Sequence, residues 1–293
     1  NEALKIVEAL IKKSPNVPLL YNIRGVCYQT IRELGNAIDD FSQATILKSD
    51  YAEAYCNLGV TYQEKGDLVS AVNAYKNAID NDNNYPTAHN NLGKIFLASG
   101  EIDSSIEHLE CAITLKPDFA EAHNNLANSL SKKLRLDEAI IHYKKAIQLK
   151  PEYSEAHFNF GVTLNKLNRS EQAIGYLEEA IRLNPNFTKA RLSLGNILRL
   201  KYKFKTAIHH FKTILKVNPN HAIAHNSLGS ALGEQGNFKQ AIAHFNNAIK
   251  INPHYVEARQ NLSTTLSILG QSDTSVDHLK IAKDLAVNEK LKQ

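Results

Sequence analysis

The sequence predicts an all-α fold, a stack of antiparallel helical hairpins, and three observations carry that expectation. The chain re-registers on itself every 34 residues, small residues recur inside each unit, and proline recurs near each unit's end. A fixed period of this length marks an architecture in which each unit is one supersecondary element that buries its apolar face on its neighbours. That period overrides the length prior, which for 293 residues would suggest about two domains.

The repeat has a phase. From Pro18, eight units follow without insertion: 18–51, 52–85, 86–119, 120–153, 154–187, 188–221, 222–255 and 256–289. Residues 1–17 match the second half of a unit, with Ala3, Val7, Leu10 and Pro15 at its positions 20, 24, 27 and 32, and 290–293 form a tail. A leading second helix without its first leaves an apolar flank uncovered, whereas terminal repeats need polar caps. The chain also contains no Met. The expectation is a piece of a longer protein, able to self-associate through its incomplete ends.

Each position within the unit has a physical reading. Position 8 is Gly25, Gly59, Gly93, Ala127, Gly161, Gly195, Gly229 and Ser263. Glycine inside a helix costs about 1 kcal/mol against alanine, so its recurrence predicts close approach by another helix. Position 20 is expected on the other side, small against small: Ala37, Ala71, Ser105, Ala139, Ala173, Ala207, Ala241 and Ser275. Position 24 is large (Phe41, Tyr75, Leu109, Tyr143, Leu177, Phe211, Phe245, Leu279), and position 27 is Ala except at Ile214. Positions 20, 24 and 27 share one helical face. Position 7 is apolar except at Arg24. Pro117, Pro151, Pro185, Pro219 and Pro253, at position 32, end the second helices. Gly66, Gly100, Gly236 and Gly270 mark turns between the two helices of their units.

Small-8, Ala-20, aromatic-24, Ala-27 and Pro-32 together resemble the tetratricopeptide repeat over residues 18–289. The family's usual Trp at position 4 is replaced by Tyr21, Tyr55, His89, His123, His157, Arg191, His225 and Arg259. The resemblance implies a right-handed superhelical solenoid with the first helices on its concave side. It also implies protein–protein interaction as the function.

Bulk properties limit the alternatives. Thirty-four basic against 30 acidic residues give a net charge of +4, too balanced to make nucleic acid the expected partner. No apolar run reaches the roughly 18 residues of a membrane span. Cys27, Cys56 and Cys111 form no CxxC pair and read as small hydrophobes of a reduced, cytoplasmic protein. No nucleophile elbow, P-loop or metalloprotease motif occurs, so no catalytic residue and no cofactor are expected. Of the twelve histidines, most fall at position 4 or at position 23 (His108, His142, His210, His244, His278). Equivalent residues of neighbouring repeats lie about 8–10 Å apart or more, too far to share one metal ion, and no metal site is expected. The basic stretch Arg199, Lys201, Lys203, Lys205 crosses one turn and could touch an acidic partner or phosphate.

The expected working surface is the concave side. Position 6, which the resemblance places there, reads Ile23, Asn57, Asn91, Asn125, Asn159, Ser193, Ser227 and Asn261. An amide side chain both donates to and accepts from a peptide unit. Rungs about 10 Å apart would meet an extended chain about every three residues. This ladder is similar to that of O-linked N-acetylglucosamine transferases, whose asparagines hold a protein substrate by its backbone. Lys94, Asn128, Ser131, Lys132, Asn165, Lys166, Asn196 and Arg199 are placed on the same side, and an extended peptide is the expected ligand. The alternative is the substrate-recruiting region of a larger enzyme, such as a glycosyltransferase.

Overall fold

The computed structural model describes residues 2–290, apart from the side chains of residue 272 and of 288–290. Helix α1 (Glu2–Lys13) comes first. Four hairpins follow: α2 (Pro18–Thr30) with α3 (Leu34–Leu47), α4 (Ala52–Lys65) with α5 (Leu68–Asn81), α6 (Pro86–Ser99) with α7 (Ile102–Leu115), and α8 (Ala120–Lys132) with α9 (Leu136–Leu149). The next four are α10 (Ser154–Lys166) with α11 (Ser170–Leu183), α12 (Thr188–Leu200) with α13 (Phe204–Val217), α14 (Ala222–Glu234) with α15 (Phe238–Ile251), and α16 (Val256–Ile268) with α17 (Ser272–Lys290). The described residues contain no strand, and the fold is a solenoid of helical hairpins. Helix α17 runs 19 residues against 14 in α15, so Lys290 of the expected tail is helical. The rest of that tail lies outside the described residues.

Local chemistry sets the helix ends. Pro18 and Pro86 occupy the first turns of α2 and α6, where a missing N–H costs nothing. The prolines at position 32 sit two residues beyond the ends of α7, α9, α11, α13 and α15. All eight hairpin turns place a left-handed residue at unit position 15. Gly66, Gly100, Gly236 and Gly270 do so as expected, and Arg32, Leu134, Asn168 and Tyr202 adopt it without being glycine.

The core repeats with the sequence. Tyr75, Tyr143, Phe41, Phe211 and Phe245 at position 24 are among the largest fully buried side chains, each contributing about 1.5–3 kcal/mol. The position-8 glycines are explained by the position-24 side chains, rings opposite Gly25, Gly59, Gly195 and Gly229 and leucines opposite Gly93 and Gly161. A Cβ at Gly195 would lie 2.5 Å from Phe211 Cε1, and one at Gly59 2.6 Å from Tyr75 Cε1. Small-against-small holds for the backbone side: Ser105 Oγ at position 20 donates to the Gly93 carbonyl at 2.7 Å. The Cβ direction of position 8 is filled by position 24 instead. Arg24, the exception at position 7, forms a bidentate ion pair with Asp40 at 2.6 and 2.7 Å.

The chain divides into two compact units, Asn1–Pro151 and Glu152–Gln293, holding α1–α9 and α10–α17 respectively. Within each, successive helices pack in order. First helices also touch the next first helix, α2 with α4 and α6 with α8 in one unit, α12 with α14 and α14 with α16 in the other. Second helices of the described residues do not approach one another to this extent. The first helices therefore occupy the inner, more crowded side of each unit.

Candidate binding face

In the first unit, the sequence-predicted residues fall on three successive first helices. Asn57, Asn91, Asn125 and Asn128 are half-buried, and Lys94 and Lys132 are exposed. The asparagines are not isolated rungs. Asn57 Nδ2 donates to Asn22 Oδ1 at 3.0 Å, and Asn125 Nδ2 donates to Asn90 Oδ1 at 2.9 Å. Each bond joins position 6 of one repeat to position 5 of the repeat before it. Asn90 Nδ2 also reaches Asn91 Oδ1 at 3.3 Å, and Asn22 Nδ2 reaches Glu53 Oε1 at 3.2 Å. Asn128 Oδ1 accepts from the Tyr143 hydroxyl at 2.7 Å.

In the second unit, Asn159, Ser193, Asn196 and Arg199 are half-buried and Lys166 is exposed. Asn261 repeats the latch, donating from Nδ2 to Asn226 Oδ1 at 3.0 Å and to Ser230 Oγ at 3.3 Å. Ser227 is only 7% exposed, which leaves its hydroxyl little contact with solvent. Arg199 forms an ion pair with Glu234 of the next repeat. Asn159 lines an open cavity with Glu155, Phe158, Phe187 and Lys189. The Phe158 and Phe187 rings lie 4.9 Å apart.

Sequence reasoning did not anticipate the position-5 partners. The signal was available: Asn at position 5 followed 35 residues later by Asn at position 6 occurs at Asn22 and Asn57, Asn90 and Asn125, Asn124 and Asn159, and Asn226 and Asn261.

The histidines pair within repeats. Nδ1 of His89 lies 3.0 Å from Nδ1 of His108, His123 lies 3.1 Å from His142, and His225 lies 2.9 Å from His244. His123 Nε2 and His225 Nε2 face the carbonyls of Pro117 and Pro219 at 3.1 and 3.0 Å. A carbonyl only accepts, so Nε2 carries the hydrogen and Nδ1 accepts from the second ring. Arg191 and Arg259 make the same return bond to Pro185 and Pro253, which explains why position 4 takes His or Arg in these repeats. Burial lowers the pKa of His89, His108, His123, His142 and His244, and takes His210 down to about 4. No group of three or more metal-ligating side chains gathers among the described residues. Cys56 is buried, and burial pushes its thiol up to about 12. No described helix is long and apolar enough to cross a membrane.

These features define a helical-hairpin repeat protein with a polar inner face. Tetratricopeptide-repeat models match residues 33–66, 62–100, 93–133, 120–153, 142–175, 222–255 and 244–277, more than half of the chain, and the chain belongs to the tetratricopeptide-repeat family. No curated protein matches it. Among solved structures it is similar to a chain of the APC/C hetero-tetramer Cut9–Hcn1, at 21% identity and a TM-score of 0.70 over 79% of this chain and 46% of that one. The chain thus spans about half the length of that relative. It is also similar to PilF of Pseudomonas aeruginosa, at 22% identity and a TM-score of 0.64 over 71% and 95% of the two chains. A third likeness is to YrrB, a repeat protein with an unusual peptide-binding site, at 25% identity and a TM-score of 0.53 over 64% and 97%. Repeats and neighbours of this kind are those of a protein–protein interaction scaffold.

Proposed function

We propose that, within a unit, the inner face of the first helices binds an extended peptide. The observation that carries this reading is the run of half-buried amides flanked by exposed lysines on successive first helices. Asn57 and Asn125 each spend one N–H on the neighbour and retain a second N–H and a carbonyl oxygen. The latch holds these groups in fixed orientation, so less side-chain entropy is lost on binding. At about 0.5–1.5 kcal/mol for each net bond, the amides supply part of the roughly 8 kcal/mol of a micromolar complex, and Lys94, Lys132 and Lys166 favour peptides with acidic residues. YrrB, with its peptide-binding site, supports the same use.

The test is a peptide-library screen on the full chain, followed by Lys94→Ala with Lys132→Ala in the first unit and Lys166→Ala with Asn196→Ala in the second. The expected result is at least tenfold weaker binding (about 1.4 kcal/mol) with an unchanged melting temperature. Full affinity in both double variants would place the peptide elsewhere. Substrate recruitment for a catalytic domain elsewhere in a longer protein would use the same face, and the flanking coding sequence decides between the two versions. Light scattering over a range of concentrations tests self-association, and localisation of the tagged protein tests the cytoplasmic expectation.

A further inference from the structure

The hairpin turns carry a second pattern, distinct from the inner face. Position 16 of the unit reads Glu33, Asp67 and Glu101, then Arg135, Arg169 and Lys203, then Asn237 and Gln271. Within the second unit, two adjacent turns are basic. The α10–α11 turn has the exposed Arg169, and the α12–α13 turn has Lys201, Lys203 and Lys205, of which the last two are exposed. Lys201 ties the two turns together through its ion pair with Glu171. Arg169 Nε donates to the neutral Gln172 amide at 2.9 Å, and neither Lys203 nor Lys205 makes an ion pair among the described residues.

The apex of the α12–α13 turn is Tyr202, 81% exposed, with its ring edge-on to Phe204 at 6.0 Å. Its φ is +59°, where the equivalent residues of the α14–α15 and α16–α17 turns are Gly236 and Gly270. An aromatic residue in left-handed backbone gives up stability that glycine would restore. An exposed tyrosine held there at the expense of stability, among cations, has the composition of an interface anchor.

We propose that the α12–α13 turn docks an acidic peptide segment bearing an apolar side chain, with Tyr202 as the anchor and Lys203, Lys205 and Arg169 as the cations. The occupant is a peptide because this turn already seats a carboxylate of its own chain, Glu171 on Lys201. A polyphosphate backbone would leave Tyr202 without an apolar partner. The net charge of only +4 supplies no general field for a polyanion.

The probe is a fluorescent peptide of about twelve residues alternating Asp and Glu around a central Leu–Phe pair. It is titrated by anisotropy onto the full chain at physiological ionic strength, where only contacts within about 8 Å escape screening. Lys203→Glu with Lys205→Glu is expected to weaken binding at least tenfold. Lys239→Glu with Lys250→Glu, a pair of equal charge at exposed sites on α15, is expected to leave it within about twofold. Tyr202→Gly is expected to weaken binding several-fold while raising the melting temperature, a combination that a merely structural tyrosine would not give. Equal weakening by both lysine pairs, full affinity in Tyr202→Gly, or no binding of the peptide overturns the proposal. So does binding of single-stranded oligonucleotide or phosphatidylserine vesicles in its place.

Discussion

The Nδ1 atoms of His123 and His142 face each other at 3.1 Å, with their ring centroids 5.3 Å apart. One hydrogen fits between them. With the His123 Nε2 hydrogen given to the Pro117 carbonyl, the first proton added to the neutral pair can enter only at the outer nitrogen of His142, and the next would set two N–H groups head to head. The same geometry recurs at His89 with His108 and at His225 with His244.

A pH dependence follows from these pairs. Burial lowers the folded pKa of His89, His108, His123, His142 and His244 below the ordinary 6.5, and that of His210 to about 4. The unfolded chain therefore binds more protons than the folded one as pH falls below about 6.5. The stabilisation is complete above that pH and is lost progressively down to about 4. The surroundings oppose one another: Glu107 and Glu138 favour protonation of His108 and His142, while Lys76, Lys145 and Lys212 disfavour that of His108, His123 and His244. Thermal unfolding at pH values from about 7.5 to about 5 is expected to show a falling melting temperature. Replacing His108, His142 and His244 by Gln keeps a donor but removes the titration, and should flatten the slope. An undiminished slope in the triple variant would assign it to other groups.

Arg24 and Asp40 make the second prediction. Asp40 is 4% exposed, so removing its partner leaves a buried charge. Arg24→Leu is expected to cost about 2–3 kcal/mol, less than a fully buried pair because Arg24 keeps some contact with solvent. Adding Asp40→Ala reproduces Leu58 and Ala74 of the next repeat and should recover most of the loss. A double-mutant cycle by urea unfolding reads the coupling.

The fold was legible because the repeat states each packing rule several times over. Gly at position 8, a ring at position 24 and proline at position 32 each recur, so one exception such as Arg24 does not blur the pattern. The candidate face was legible only in part. Position 6 was visible as a column of asparagines, but its hydrogen bonds run to position 5 of the preceding repeat, and that register depends on how hairpins stack. The histidine pairs were missed for a related reason. Comparing equivalent positions of neighbouring repeats separates His123 from His142, whereas the hairpin brings position 4 and position 23 of one repeat together. Tyr202 carried no local turn signal, since the residues around it and not its own propensity hold it in left-handed backbone.

One substitution should change sign between two glycines of the same unit. Gly175 lies within α11 with nothing within 4 Å of an added Cβ. Gly175→Ala is expected to stabilise by about 0.5–1 kcal/mol through helix propensity. Gly195→Ala gains the same propensity but drives a methyl to 2.5 Å from Phe211 Cε1, and overpacking of this kind costs about 1–3 kcal/mol. The net result should be destabilisation, measured as opposite shifts of the urea midpoint at constant slope. Equal stabilisation by both would show that the Phe211 ring yields freely.

The asparagine latch separates the structural share of the inner face from its binding share. Asn125→Ala removes the donor to Asn90 and leaves Asn90 Oδ1, in a buried residue, without that bond. The cost expected is about 1–2 kcal/mol. Asn90→Ala with Asn125→Ala should cost less than the sum of the single changes, because the orphaned acceptor disappears with its partner. Lys94→Ala and Lys132→Ala, at exposed side chains of the same first helices, should leave stability within about 0.5 kcal/mol while weakening peptide binding. Chemical unfolding and peptide titration on these five variants, the single Asn90→Ala included, make the division. If the asparagine changes lower stability and peptide affinity in strict proportion, the ladder acts only by holding the repeats in register. If affinity falls further than stability, the remaining N–H and carbonyl groups contact the ligand directly.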